Sequence, residues 1–313
     1  MNTLMELSRW IRDYGNDPRH SERLQSVLFD WHQLWTALDV IEDVDLAISA
    51  YIENEFPSDP GEQYIRVYGI LQALFVQQDA LTHFVEVIRP AMSIAAVDVL
   101  KDVREARNAS VGHPTKLTRK GNLSTHFMSQ VSMSKEGFEL FSFAEKDGIT
   151  IRSVPVLTLI ERQRAEIVRI LTEVVKELKE DETAHKMKFR GKRIHGSFNL
   201  TSYAFEKISE ELRGATPVGM GKWATDELQS SLDHFKAALE ERGVSIDAYD
   251  SIKHWYGEIS YPLGELRKFV RGEPSGIPSA QAGAVFADAL QSYFSHLSDI
   301  AAEIDAEYSE VPD

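Results

Sequence analysis

Apolar side chains recur along most of this chain at three- and four-residue intervals, the spacing of one face of an α-helix. Residues 4–14 read as a short helix stopped by Gly15 and Pro18. From Ser21, a good N-cap, the positions Leu24, Val27, Leu28, Trp31, Leu34, Trp35, Leu38, Ile41, Ile48 and Ile52 mark one long helix. The prolines and glycine of residues 57–61 break it. A second helix then carries Tyr64, Val67, Leu71, Leu74, Gln78, Leu81, Val85 and Ile88 on one stripe. A third, over 94–111, aligns Ala96, Leu100, Val103, Arg107 and Val111. The period next changes to two: Phe127, Ser129, Val131 and Met133 alternate, as do residues 138–143 and 149–154, with turns at Gly137 and Gly148. That pattern predicts a three-stranded antiparallel meander. Pro155 opens a fourth helix bearing Leu159, Ile160, Ile167, Ile170, Leu171, Val174, Val175 and Leu178.

Together these elements predict a mainly α fold: an antiparallel four-helix bundle over 1–184 with a β insertion at about 124–154. Residues 185–196, basic and weakly apolar, read as a linker. Segments near 199–213, 222–242, 246–271 and 279–308 build a second helical domain over 197–313, and Pro262 is expected to kink or split the third of them.

Composition narrows the chemistry. The absence of cysteine rules out disulfides, thiolate nucleophiles and Cys-based metal sites. The first ten residues lack a charged segment followed by an apolar core, and no apolar run is long enough to span a bilayer, so a cytoplasmic protein without a membrane partner is expected. A net charge of −15 argues against an extended nucleic-acid surface. Two basic islands interrupt the acidic body. Lys101, Arg104, Arg107, Lys116, Arg119 and Lys120 face only Asp102 and Glu105, and Lys186, Lys188, Arg190, Lys192 and Arg193 stand among no acids. The acids Asp39, Glu42, Asp43 and Asp45 read as a solvated face rather than a metal site. Residues 214–222 imitate a phosphate loop, but Thr216 occupies a required glycine position and Trp223 follows the lysine, so they read as a turn. No cofactor or metal is expected. His83, His126, His234, His254 and His296 read as surface or satisfied core histidines.

One position breaks the helical pattern. Arg107 stands where the stripe calls for a hydrophobe, and a charge on a packing face is costly without a partner. Six residues on, His113 follows Gly112 and precedes Pro114. Gly112 is expected in the left-handed conformation that ends a helix near Ser110 or Val111, letting His113 swing back beside Arg107. A guanidinium and an imidazole converging at a helix end make an anion site with a proton-transfer group, which suits phosphoryl chemistry on RNA. Gln78, interrupting its apolar seam, reads either as a buried amide or as a polar group facing this site, with Tyr68, Gln72 and Asp79 on adjoining faces.

Arg107-Asn108 followed by His113-Pro114 resembles the R-x(4–6)-H motif of the HEPN superfamily, helical-bundle proteins many of which are metal-independent ribonucleases. Residues 68–72 (Tyr-Gly-Ile-Leu-Gln) and 77–80 (Gln-Gln-Asp-Ala) are similar to that family too, and the likeness covers roughly residues 20–182. It implies RNA cleavage to a 2′,3′-cyclic phosphate in a toxin or defence setting, by a homodimer with its site at the interface. Arg107, His113 and Asn108 would be catalytic, with Arg104, Lys116, Tyr68, Gln72 and Gln78 holding substrate. The family's modifiable tyrosine after the histidine is missing here, since Pro114-Thr115-Lys116 follow, and the motif is one residue longer than the commonest spacing. The competing expectation is a non-catalytic module that binds a protein partner or a nucleotide, with Arg107 paired to an acid such as Asp79 and His113 merely packed.

Overall fold

The computed structural model describes residues 3–27, 30–88, 97–119, 122–144, 148–215 and 219–309. It is mainly helical with a small antiparallel sheet, and it divides into two compact units. One comprises Met1–Asp13 and Val27–Glu177, the other Tyr14–Ser26 and Leu178–Asp313. Among the described residues no helix is long and apolar enough to cross a membrane.

The N-terminal pattern resolves into three helices rather than two. Helix α1 (Leu4–Asn16) continues through Gly15, and α2 (Pro18–Val27) starts on a proline, the residue whose missing N–H costs nothing in a first turn. The long helix expected from Ser21 is interrupted before α3 (Trp31–Glu53). Asp30 causes the restart: its backbone is extended and its carboxylate accepts the Gln33 N–H at 2.9 Å, an N-cap inside what the stripe reads as one helix. Leu28 lies outside the described residues.

Helices α4 (Pro60–Ile88) and α6 (Val156–Phe189) follow as the periodicity predicts, while α5 (Asp98–Arg107) ends before its stripe does. Ala96 and the start expected for α5 lie outside the described residues. Val44, Ile48, Val67, Leu71, Val103 and Ile160 are among the side chains closing the core of this unit. Within the unit, a chain of amides crosses the apolar interior. Gln77 Nε2 donates to the Ile41 carbonyl at 3.1 Å, and Gln163 Nε2 donates to Gln77 Oε1 at 2.9 Å and to the Leu74 carbonyl at 3.0 Å. Gln78 Nε2 donates to Gln163 Oε1 at 2.7 Å. All three glutamines are essentially inaccessible to solvent, so each bond replaces water that the buried amide has lost. Of the two readings of Gln78, the buried amide is the one these contacts describe.

The sheet has four strands in sequence order, all antiparallel: β1 (Leu117–Arg119), β2 (Asn122–Met128), β3 (Phe138–Ala144) and β4 (Gly148–Val154). The three longer strands are the expected meander, and the three-residue β1 is an addition too short to show a period. Strand β2 ends sooner than the alternation implies. A 3₁₀ turn (Gln130–Ser132) comes next, leaving Val131 fully exposed while Met133 is buried. The β3–β4 turn at residues 145–147 lies outside the described residues. Gly137 is required by close approach, because a Cβ there would sit 2.1 Å from the Val154 carbonyl oxygen.

The register gives the sheet two unlike faces. Ser124, His126, Met128, Leu140, Ser142 and Arg152 share the inner one, where Met128 and Leu140 join the core beside Val103 and Ala106 of α5. Leu123, Phe127, Phe143, Ile149 and Ile151 share the outer one and are 37–67% exposed. The Phe127 ring stacks on Phe141 at 4.8 Å and on Phe143 at 5.8 Å.

The second unit contains α7 (Thr201–Leu212), α8 (Met220–Glu241), α9 (Asp250–Val270) and α10 (Ala280–Ser309), matching the four segments read from the stripes. Leu228, Phe235, Ile259, Leu266, Leu290 and Phe294 lie in its core. Helix α9 runs through Pro262 as one assigned helix. Residues 185–196 are no linker. They hold the end of α6 and a 3₁₀ turn (His195–Phe198), anchored by Phe189 and Ile194, each 1% exposed, with Asp305 accepting the Ile194 and His195 N–H groups. At the phosphate-loop imitation, residues 216–218 lie outside the described set. There the Glu211 carboxylate accepts the N–H groups of Gly219 and Gly221, so an acid stands where a phosphate would.

Gln163→Leu keeps most of the buried volume but leaves Gln78 Nε2 and Gln77 Oε1 without their partner. At about 1–3 kcal/mol for each orphaned group, urea unfolding should show a loss of about 2–6 kcal/mol. A loss below about 1 kcal/mol would mean that the amides find other partners.

Candidate functional site

Helix α5 does not end where its pattern implies. Leu100, Val103 and Ala106 form its buried face, and Arg107 sits half-buried at the rim instead of on the packing stripe. The backbone then widens into a π turn (Asn108–Gly112), closed by the His113 N–H donating to the Asn108 carbonyl at 2.8 Å. Such single turns insert one extra residue and re-aim the side chains beyond them. Ala109 and Ser110 are buried in the turn, and the Ser110 hydroxyl finds no hydrogen-bond partner among the described residues.

Gly112 is needed here, though not for the expected reason. It does not adopt a positive φ. A Cβ at this position would lie 2.5 Å from Arg107 Nη1 and 3.3 Å from Asn108 Oδ1. The hydrogen side chain thus makes the space in which the guanidinium rests. The same contact ties the motif together: since consecutive Cα atoms are about 3.8 Å apart, Arg107 Nη1 lies within about 8 Å of the His113 Cα.

Neutral groups hold Arg107. Its Nε and Nη2 donate to Gln72 Oε1 at 3.1 and 3.0 Å, its Nη1 donates to Asn108 Oδ1 at 3.0 Å, and its plane covers the Phe75 ring at 4.4 Å. These bonds use three of its five N–H groups, leaving one on each terminal nitrogen. Asp79, the acid that the competing reading assigns to Arg107, instead pairs with Arg104, one turn earlier, which also packs on Phe75. Lys101 pairs with Asp98. Of the basic island, the described cations without an ion pair among the described residues are Arg107 and exposed Lys116. Lys120 and the side chain of Arg119 lie outside the described set.

His113 is exposed at the end of the π turn. The chain just past it is pinned to the sheet, because the His126 N–H donates to the Pro114 carbonyl at 2.6 Å. Tyr68, one helical turn before Gln72 on α4, is 41% exposed and leans on Tyr64. The structure therefore gathers Arg107, Asn108 and Gln72 by direct bonds, with His113 one residue from Gly112. It sets Gln78 apart, in the amide chain.

His126 reads in the sequence as an ordinary surface or core histidine, yet it lies at the site. Between the π turn and the inner face of the sheet is a cleft of about 280 Å³, and Asn108 forms part of its wall. Facing Glu105, Asn108 and Ala109 across it are Ser124, His126, Ser142 and Arg152. His126 Nδ1 bonds the Ser142 hydroxyl at 2.8 Å and Nε2 bonds that of Ser124 at 3.1 Å. Burial first, and then the charge of Arg152, hold this imidazole below its ordinary pKa. The signal is present in the alternation: Ser124, His126, Ser142 and Arg152 are the polar members of the inner face.

No family model, no curated protein and no solved structure matches this chain. The residues themselves carry the functional argument.

An imidazole whose pKa falls on folding binds its proton less well in the folded protein, so stability is lost as pH drops. His126 should titrate below its ordinary 6.5 in an NMR pH series. The wild-type protein should lose stability below that pH more steeply than His126→Asn. Equal slopes for the two proteins would remove His126 from the acid response.

Proposed function

We propose that this protein is a HEPN-like, metal-independent endoribonuclease whose catalytic group is the Arg107–His113 turn. The observation that carries the reading is a half-buried guanidinium held by amides, with spare N–H groups and an exposed imidazole within one turn. Because no carboxylate neutralises it among its described partners, the Arg107 charge is available to an anion. In this reading α3–α6 are the antiparallel four-helix bundle and residues 197–313 a second domain. Two copies form a cytoplasmic homodimer with the site at their interface, in a toxin or defence setting.

The chemistry is set by what RNA requires. The ribose 2′-hydroxyl attacks its own 3′-phosphate, giving up its proton to a base. The bond to the 5′-oxygen of the next nucleotide breaks, and that oxygen takes up a proton. Histidine suits both transfers near neutral pH, and a partner copy would supply a second one. Arg107 holds the charge that develops on the phosphoryl oxygens, and Asn108 and Gln72 keep its plane fixed so that little reorganisation is needed. Lys116 and Tyr68 would contact the flanking backbone and base.

The test is cleavage of a labelled oligoribonucleotide in excess chelator. The expected products end in a 2′,3′-cyclic phosphate and a 5′-hydroxyl, a 2′-deoxy substitution at the scissile position should block the reaction, and His113→Ala or Arg107→Ala should each slow it by about 10²-fold or more. Cleavage that survives both substitutions unchanged would refer the activity to other residues.

A second reading, a protein-binding module, is favoured by the outer face of the sheet. Leu123, Phe127, Phe143, Ile149 and Ile151 together present a contiguous exposed apolar face, a feature that often marks interaction sites. In that case Phe127→Glu should abolish capture of the partner while Arg107→Ala leaves it intact. The opposite pattern would exclude the module.

A further inference from the structure

The cleft beside Asn108 has a chemistry of its own that the proposed cleavage step does not use. Its helix side offers the Glu105 carboxylate and the Asn108 amide, and its sheet side offers Arg152 and the Ser142 hydroxyl backed by His126. Ala109 is its apolar lining residue. A hydrocarbon would strand these polar groups, and a free phosphate would meet the negative charge of Glu105. What fits an acid facing a cation across about 280 Å³ is a flat, neutral group with donors on one edge and acceptors on another.

Among the nucleobases guanine has that layout. Its N1–H and exocyclic N2 amino group donate side by side and match one carboxylate, while O6 and N7 accept from a guanidinium. Adenine reverses the pattern by presenting an acceptor at N1, and uracil sets carbonyl oxygens on both sides of its single donor. Glu105 already takes part in another interaction, but a carboxylate has about four lone-pair sites and can accept a base edge as well. The wall shared with the Arg107 turn supplies the connection: Asn108 Oδ1 holds Arg107 Nη1, and Asn108 also lines the cleft.

We propose that this cleft is a guanine-recognition subsite, taking the base of the nucleotide whose phosphate rests at Arg107. The inference rests on the RNA reading of that turn, and it adds a substrate class: RNA cut beside guanosine. The interleaved hydroxyls on His126 fix the imidazole in place, so the sheet side is preorganised and the base meets a rigid wall.

The experiment measures binding apart from cleavage. Full-length protein carrying His113→Ala is titrated by calorimetry with GMP, AMP, UMP and CMP. GMP should bind at least 10-fold more tightly than the other three, and Glu105→Gln should erase most of that preference while circular dichroism stays unchanged. Arg152→Ala, on an exposed edge strand, should weaken GMP by a similar factor and serves if Glu105→Gln fails to fold. Equal affinity for all four nucleotides, or a GMP preference that survives both substitutions, overturns the proposal. A GMP preference that Glu105→Gln erases, together with a wild-type protein that cuts no RNA, would keep the subsite and remove the nuclease. Cleavage without regard to base would keep the nuclease and remove the subsite.

Discussion

A positive charge at the rim of a helical core has to be held by something, and in this protein the holders are uncharged. Arg107 lies on Phe75, against the bare Cα of Gly112, with Gln72 and Asn108 fixing its orientation. A carboxylate partner would satisfy the arginine more strongly but would also cancel its field. The amides satisfy its geometry and leave its charge in force. The neighbouring Arg104 shows the alternative on the same ring, since its pairing with Asp79 makes it a structural cation.

That arrangement demands a particular backbone. An α-helical turn carried past Arg107 would not place an unsubstituted carbon beside the guanidinium and then release His113 to solvent. The π turn does both, and the sheet stabilises its exit through the His126 N–H on the Pro114 carbonyl. The β insertion is therefore part of the site: it clamps the motif and furnishes the opposite wall of the cleft with His126, Ser142 and Arg152. The amide chain of Gln77, Gln163 and Gln78 serves a different end, tying three helices through polar bonds in a dry interior.

Much of the fold is legible in the sequence because its signals are local. The stripes of α4, α6 and the four helices after residue 200, and the alternation of β2–β4, arise from side-chain period alone. Periodicity misleads where a single residue overrides it. Asp30 restarts a helix inside an unbroken stripe, and Ala106 takes the packing face in place of Arg107, at the point where the π turn shifts the helical phase. The stretch 185–196 has the charge of a linker, yet Phe189 and Ile194 bury it.

The sequence by itself determined most of the elements, the acidic body with its basic islands, and the placing of Arg107 and His113 six residues apart on one short segment. Only the tertiary structure decided what those groups touch. Gln72 stands 35 residues before Arg107, Ser142 stands 16 after His126, and Gln163 stands 85 after Gln78. Periodicity reports which face of an element is buried. The partner it is buried against is chosen by chain closure and packing, which carry no local mark.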